Sequence, residues 1–417
     1  MASSTKRSAV RLAAGLLAAV AAAILIAACG GSGDSSTGGG SEGGGETIKV
    51  GFVGPLSGPL SAAGKGGLNG AEAAIEYLNE GAAKSGDTFE LLTQDDKGDP
   101  TQTAAAARKL VGEGAKMIMV GPTPGGGGAI QPIVNQSKIL NIGPDTDTIS
   151  EGMKPGGEFP YAFGTGPGFE QYAGPQVEYA AKSLGVKKLG TIYAAGPLGE
   201  VYVSSMEVAA KELGVEIVKQ SFPESQADVT AQLRRLRGEG VEVLTVWTFG
   251  TPLVNVAQSL AKIDWEPTVL TVQGSAEPGL IETLEREAPG TLKKMYGGAI
   301  STNLLVEKAG EAPKGELAMA FVEHLKKVTG DETLDGNAPT AVYLFDSMIA
   351  YDRGIAATGG TDSDEIAKYF DTTPIEIAQG ETDWPTNRAA GVPSSDLGLF
   401  LSASDWSNGT GVAAPGQ

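Results

Sequence analysis

Apolar and polar positions change rhythm sharply along this chain. Residues 12–28 (LAAGLLAAVAAAILIAA) form one uncharged, mostly apolar run, and Gly30–Gly45 is mostly Gly and Ser with a few acids and no apolar period. From Thr47 onward, short apolar runs alternate with stretches of helical spacing. Ile48–Val53 reads as a strand, followed by a Gly/Pro/Ser loop and by Ala71, Ala74, Ile75 and Leu78 at helical intervals. Phe89–Leu92 is a second strand that runs into Asp95-Asp96. Asp99-Pro100 reads as an N-cap with proline at the first helical position, and Ala104–Val111 continues that helix. Met117–Val120 is a short, fully apolar strand. A helix from about Gly128 and a strand over Ile139–Ile142 complete a β-α-β-α-β-α-β series. Strands that are apolar throughout are buried on both faces, so the series predicts a parallel sheet with helices on either side.

A second series follows Tyr161–Thr165. Strands are predicted at Leu189–Tyr193, Glu216–Gln220, Val243–Trp247 and Thr268–Val272, with helices near Gly199–Leu213, Asp228–Gly238 and Pro252–Ile263 between them. Beyond Ala299 the pattern gives two helices, Gly315–Val328 and Pro339–Ala357, and a closing strand at Leu399–Leu401. The chain of 417 residues therefore reads as α/β, with two units each large enough to bury a core.

Charge and rare residues narrow the chemistry. The formal net charge is −19, and the only basic residues before Cys29 are Lys6, Arg7 and Arg11. Without them 28 basic residues face 50 acidic ones, a net charge of −22. Such a surface repels phosphate backbones, which argues against nucleic acid as a partner. One cysteine cannot form an internal disulfide, and one histidine cannot build the multi-histidine sites of zinc or non-haem iron. His324 lies in an amphipathic stretch with Phe321, Leu325 and Val328 and reads as a solvated or half-buried surface residue.

Enzyme motifs fit poorly. Gly58 to Lys65 has five residues before Gly64 and no Ser or Thr after Lys65, so it fails as a phosphate loop. The G-x-S-x-G at Gly39–Gly43 lies in the Gly/Ser stretch with no strand before it, so it does not read as a nucleophile elbow. Asp95, Asp96 and Asp99 lack calcium-loop spacing; a strand end and a cap account for them. No cofactor and no metal ligand set is expected.

The N-terminus has a basic start, an apolar run and small residues before a cut site, the pattern of a secretory signal. Leu25-Ile26-Ala27-Ala28-Cys29 resembles the bacterial lipobox, which implies a signal peptide over 1–28 and a lipidated Cys29 holding the protein to the membrane. The alternative is an uncleaved helix, since 17 apolar residues just reach spanning length. Residues 29–46 then form a flexible tether, whose Gly-rich part has a root-mean-square span of roughly 20–24 Å.

Several segments resemble the type I periplasmic binding proteins, in particular the branched-chain amino acid (Leu/Ile/Val-binding) branch of ABC-transporter substrate-binding proteins. They are Ile48–Pro59, Asn69–Ala74, Asp95–Pro100, Val120-Gly121-Pro122, Tyr161–Thr165 and Asp405–Gly409, and the likeness runs from about residue 47 to 410. It implies two Rossmann-like lobes joined by a three-strand hinge with the ligand cleft between them. The lobes would be 47–165 plus about 300–380, and 166–299 plus about 381–410. The implied function is an extracytoplasmic lipoprotein that closes on a small polar solute, an amino acid or a related amide or aromatic acid, and hands it to an ABC permease. A lipoprotein that signals to a membrane receptor is the alternative. No catalysis is expected.

The family's site maps onto this chain residue by residue. Ser57 stands in the first loop, and Ala63 occupies a position often held by an aromatic ring. Pro122–Gly128 lies where the family has a Ser-rich carboxylate loop; its glycines, Gly125 and Gly126 among them, keep backbone donors and lose hydroxyls. A plain turn is the other reading. In Gly143–Asp147, Asp147 falls where the family's Thr takes an ammonium, with Thr146 and Asp145 beside it; an acidic loop or helix cap would look the same. Leu198 stands where a Tyr is typical. Gly274-Ser275-Ala276 replaces a Gly-Pro-Glu run. Phe249 and Trp247 are candidate apolar walls, Trp247 equally a core residue.

Overall fold

The computed structural model describes residues 45–58, 60–144, 146, 149–272, 278–308, 310–334, 338–401 and 411–417, all in the compact unit that begins at Gly43. Cys29, Asp145, Asp147, Gly274 and Ser275 lie outside the described residues.

The first sheet is built from β1 (Thr47–Gly54), β2 (Thr88–Asp95), β3 (Met117–Val120), β4 (Leu140–Gly143) and β5 (Ala162–Gly164). Its order is β2-β1-β3-β4-β5 and every pairing is parallel, with Val50 opposite Leu91 and Gly51 opposite Ile118. Between these strands run α1 (Ser61–Tyr77), α2 (Pro100–Gly112) and α3 (Gly126–Ser137). Asp99 caps α2 as its position before Pro100 predicts: its carboxylate accepts from Thr101 N at 2.7 Å.

The second sheet follows α4 (Phe169–Glu178). It contains β6 (Lys188–Ala194), β7 (Glu216–Phe222), β8 (Val243–Trp247), β9 (Thr268–Val272) and β10 (Met295–Ser301), alternating with α5 (Pro197–Leu213), α6 (Thr230–Gly238), α7 (Gly250–Lys262) and α8 (Pro278–Glu287). The chain then passes β11 (Leu305–Val306) and returns as α9 (Glu316–Thr329), α10 (Ala338–Thr358) and α11 (Ser363–Phe370) to the first sheet. A hairpin of β12 (Glu376–Ile377) and β13 (Gly380–Glu381) precedes β14 (Leu397–Leu401), which pairs antiparallel with β10, and β15 (Gly411–Val412) runs beside β11. The second sheet's order is β14-β10-β9-β8-β6-β7.

Each sheet is covered on both faces, which is why its central strands are apolar throughout. Val53, Leu110, Ile118 and Val134 form the core under α2 and α3; Leu233, Leu236, Val246 and Leu253 form the one under α6 and α7. A third apolar cluster runs from Val50 and Met119 in the first sheet through Phe345 to Tyr202 on α5 and Trp247 in the second sheet. Helix α1 meets α10 so closely that a Cβ on Gly70 would fall 1.9 Å from the Ala341 carbonyl, which restricts position 70 to glycine.

Elements absent from the sequence pattern are the helices α4, α8 and α11 and the strands β5, β10, β11, β12, β13 and β15. Gly174 and Pro175 interrupt the helical signal inside α4. His324 also departs from expectation: it is 4% exposed. Its Nδ1 lies 3.2 Å from Glu76 Oε2 and its Nε2 3.9 Å from Glu80 Oε2, with Tyr77 edge-on to the ring. The two carboxylates meet opposite ring nitrogens, and Lys327 pairs with Glu80 at 3.4 Å. The group clasps the end of α1 and the turn after it to α9, with Lys327–Glu80 as its ion pair.

The chain crosses between the sheets after β5, after β10 and between α11 and β14. Hydrogen bonds bind these crossings together. Trp384 Nε1 donates to Gly164 O at 2.6 Å, Gly391 N to Gly166 O at 2.9 Å, and Gln171 Nε2 to Val392 O at 2.9 Å. Arg388 is buried, bidentate on Asp371, with its guanidinium 4.6 Å from the Phe163 ring centre.

Candidate functional site

In a parallel sheet the loops leaving the carboxyl ends of the strands share one edge, and the place where strand order reverses opens a crevice there. The first sheet reverses between β1 and β3, the second between β6 and β8. The loops after β1 and β3 carry Ser57, Gly125 and Gly126; those after β6 and β8 carry Leu198 and Phe249. Five residues taken singly from the sequence thus fall at the two topological switch points.

On the first lobe the edge is polar and held in place by two aspartates. Asp95 Oδ1 accepts from Leu56 N at 2.9 Å and Lys97 N at 2.9 Å, and Asp95 Oδ2 accepts from Ser57 Oγ at 2.6 Å. The Ser57 hydroxyl, and then the backbone donors, hold the Asp95 carboxyl below the usual carboxylate range. Asp96 is fully buried. Its Oδ2 accepts from Thr103 Oγ1 at 2.7 Å and from Thr123 Oγ1 at 2.8 Å, and its Oδ1 from Gly98 N at 2.9 Å. Asp96 therefore fixes the loop after β3. No signal in the sequence separates it from its exposed neighbour Asp95.

That loop turns at Gly125, whose φ of 77° is left-handed and favours glycine. Helix α3 begins at Gly126, two residues earlier than the sequence pattern gives, because glycines weaken the periodic signal without breaking the helix. Gly126 is buried, and its N–H is already taken by Thr123 O at 2.8 Å. Gly125 and Gly128 are the half-exposed members of the turn. Ala63 is half-buried in the first turn of α1. Thr146 is turned away from solvent, and its hydroxyl donates to Ala389 O at 3.3 Å on the third crossing.

On the second lobe the edge is apolar. Leu198 is 44% exposed and Phe249 46%, high values for side chains of their size. Phe249 meets Trp247 edge-on at 5.5 Å. Trp247 is buried, stacked on Tyr202 at 4.3 Å and edge-on to Tyr172 at 5.5 Å. This makes Trp247 a core residue that backs the wall and Phe249 the residue that presents it. Two surface depressions lie at the opposite, amino ends of the strands: one is lined by Asp264, Trp265, Lys293 and Lys294, the other by Lys116, Lys138, Asp362 and Asp364.

Residues 47–400 match the model of the family described as periplasmic binding protein. The chain belongs to that family. A relative within it, the Leu/Ile/Val-binding protein homolog 3 of Brucella melitensis, is 26% identical over 357 residues, covering 84% of this chain and 90% of that protein. Solved structures agree on the two-lobed type I fold. The branched-chain amino acid transporter substrate-binding protein of Streptococcus pneumoniae, in complex with isoleucine, superposes with a TM-score of 0.66 at 20% identity, covering 88% of this chain and 98% of that one. A solute-binding protein of an ABC transporter from R. palustris, in complex with 4-hydroxybenzoate, gives 0.65 at 18% identity over 88% and 95%. Among the described residues no helix is long and apolar enough to cross a membrane.

Proposed function

We propose that this chain is an extracytoplasmic substrate-binding lipoprotein of an ABC importer that closes its two lobes on a small solute with a polar head and an apolar body. The observation that carries the reading is the pairing of edges at the two switch points. One carries the Ser57 hydroxyl, with its oxygen still able to accept, and the half-exposed Gly125 and Gly128 of the turn; the other carries Leu198 and Phe249. An amino acid, a short amide or an aromatic acid has that division of polarity. The relatives' ligands, named for branched-chain amino acids and 4-hydroxybenzoate, fall in the same classes. Asp147 and Asp145 would favour an amino group, and Gly274-Ser275 would complete the second edge. The lobes are assigned as 47–165 with about 300–380 and 166–299 with about 381–410. Lipidation at Cys29 would keep the protein at the outer face of the cell membrane beside its permease.

A thermal-shift panel of aliphatic and polar amino acids, short amides, urea, polyamines and aromatic acids tests this. A ligand that binds only the native state stabilises it by about 2.7 kcal/mol at a hundred times its Kd. A saturable rise with an amino acid supports an ammonium partner at Asp147, and a rise only with amides or aromatic acids makes the apolar edge the selecting feature. A flat response across the panel refutes the proposed solute range.

A further inference from the structure

At the centre of the hinge one residue touches all three crossings. Gln379 sits in the β12–β13 turn, on the third crossing; its Nε2 donates to Thr165 O on the first at 2.9 Å, and its own carbonyl accepts from Ser301 Oγ at the start of the second. Gln379 is itself held by a buried acid. Asp346, on α10, is fully buried; its Oδ2 accepts from Gln379 Nε2 at 2.8 Å and Gln379 N at 3.3 Å, and its Oδ1 from Ala378 N at 2.7 Å. The neighbouring Ser347 hydroxyl lies 3.3 Å from that of Thr165, so α10 meets the first crossing directly as well.

An ionised carboxylate accepts all three N–H donors. A protonated one gives up acceptor capacity on the oxygen that carries the proton, and its hydrogen bonds weaken to those of a neutral group. We propose that Asp346 and Gln379 form a proton-sensitive clasp on the hinge, in which the charged carboxylate holds the crossings together and protonation frees them to move. Burial moves the carboxyl up to about 7 against the pull of the Gln379 and Ala378 donors; loosening those donors while the carboxyl stays buried raises it further, so protonation favours the loosened clasp and the change falls in the neutral range. The charges on the elements packed around it do not produce that shift. These are Lys65, Glu72 and Glu76 on α1, Asp364, Glu365 and Lys368 on α11, Glu376 and Glu381 in the hairpin, and Asp352 and Arg353 further along α10. Strand β4 brings no charged residue.

The device rests on the two-lobed fold and not on the identity of the solute, so its test needs none. Amide hydrogen exchange of the full chain is measured from pH 5.5 to 8.5 and corrected for the intrinsic rate. The expected result is protection at Ala378, Gln379 and Gly391 lower by about ten-fold at the acid end, the loss of roughly one net hydrogen bond, with a midpoint near neutrality. Protection in the β1–β2 ladder stays constant and marks the change as local. Asp346→Asn, which cannot titrate, gives a flat profile at all three hinge positions. Equal hinge protection at both ends of the range in the unmodified protein overturns the proposal, without need of the variant. So does a wild-type step that survives in Asp346→Asn.

Discussion

Replacing Asp96 with alanine tests how the Gly-rich turn is held. The carboxylate is fully buried and accepts three hydrogen bonds. Thr103 loses little on its removal, because its hydroxyl also lies 3.0 Å from Asp99 O and can turn to it. Thr123 Oγ1 and Gly98 N have no such second partner among the described bonds. Two stranded donors at about 1–3 kcal/mol each give an expected loss of roughly 2–6 kcal/mol, a large share of the about 5–15 kcal/mol that stabilises an ordinary domain. Thr123→Val removes one donor and leaves Asp96 with two, so it should cost only about 1–2 kcal/mol. Urea unfolding of both variants and of the double variant closes the cycle. The coupling energy should be at least about 1 kcal/mol, because the second change removes a hydroxyl already orphaned by the first. If Asp96→Ala costs under about 1 kcal/mol, or the two changes simply add, the buried carboxylate does not hold the turn.

Four further outcomes are expected. Asp346 binds its proton more tightly folded than unfolded, so its contribution to stability falls as pH rises from about 4 to about 7, by up to about 4 kcal/mol at 1.4 kcal/mol per pH unit, and is flat above; denaturant titrations should show that slope reduced in Asp346→Asn. Phe249→Ala should change stability by less than about 1 kcal/mol while weakening any solute found by thermal shift, whereas Trp247→Ala should cost about 3–5 kcal/mol in unfolding experiments. Gly70→Val should lower the melting temperature severely, since even the first added carbon meets the Ala341 carbonyl. Cys29→Ala should move the protein from the membrane to the soluble fraction with its fold unchanged by circular dichroism; retention in the membrane would favour an uncleaved helix.

Much of the fold was legible because its central strands are buried on both faces, so they appear in the sequence as unbroken apolar runs. Val243–Trp247 and Thr268–Val272 were bounded to the residue by that signal. Helices with an interruption were harder to see: Gly174 and Pro175 conceal α4. The site was legible in part. Ser57, Gly125, Leu198 and Phe249 are candidates implied by the family resemblance, and each follows a strand at a carboxyl end. The residues that hold the site in place could not, because a buried carboxylate and a solvated one are the same letter. Asp96 reads as a strand end until Thr103 and Thr123 are seen to converge on it. Asp346 and Gln379 stand 33 residues apart and share no pattern. His324 was expected at the surface because nothing in its own helix announces Glu76 and Tyr77 packing over it from α1.

The wiring of α1 to α10 bears on the order in which the molecule is made. Besides the contact at Gly70, the Lys84 N–H reaches Asp352 Oδ2 at 2.9 Å across 268 residues of chain. The first sheet emerges from the ribosome early, yet the helix layer that α1 begins on one of its faces is completed only by α10, and the second sheet lacks its edge strand until β14 follows. Contacts of such long range set high contact order and slow closure. Completing the packing of both sheets therefore waits on segments from the last fifth of the chain.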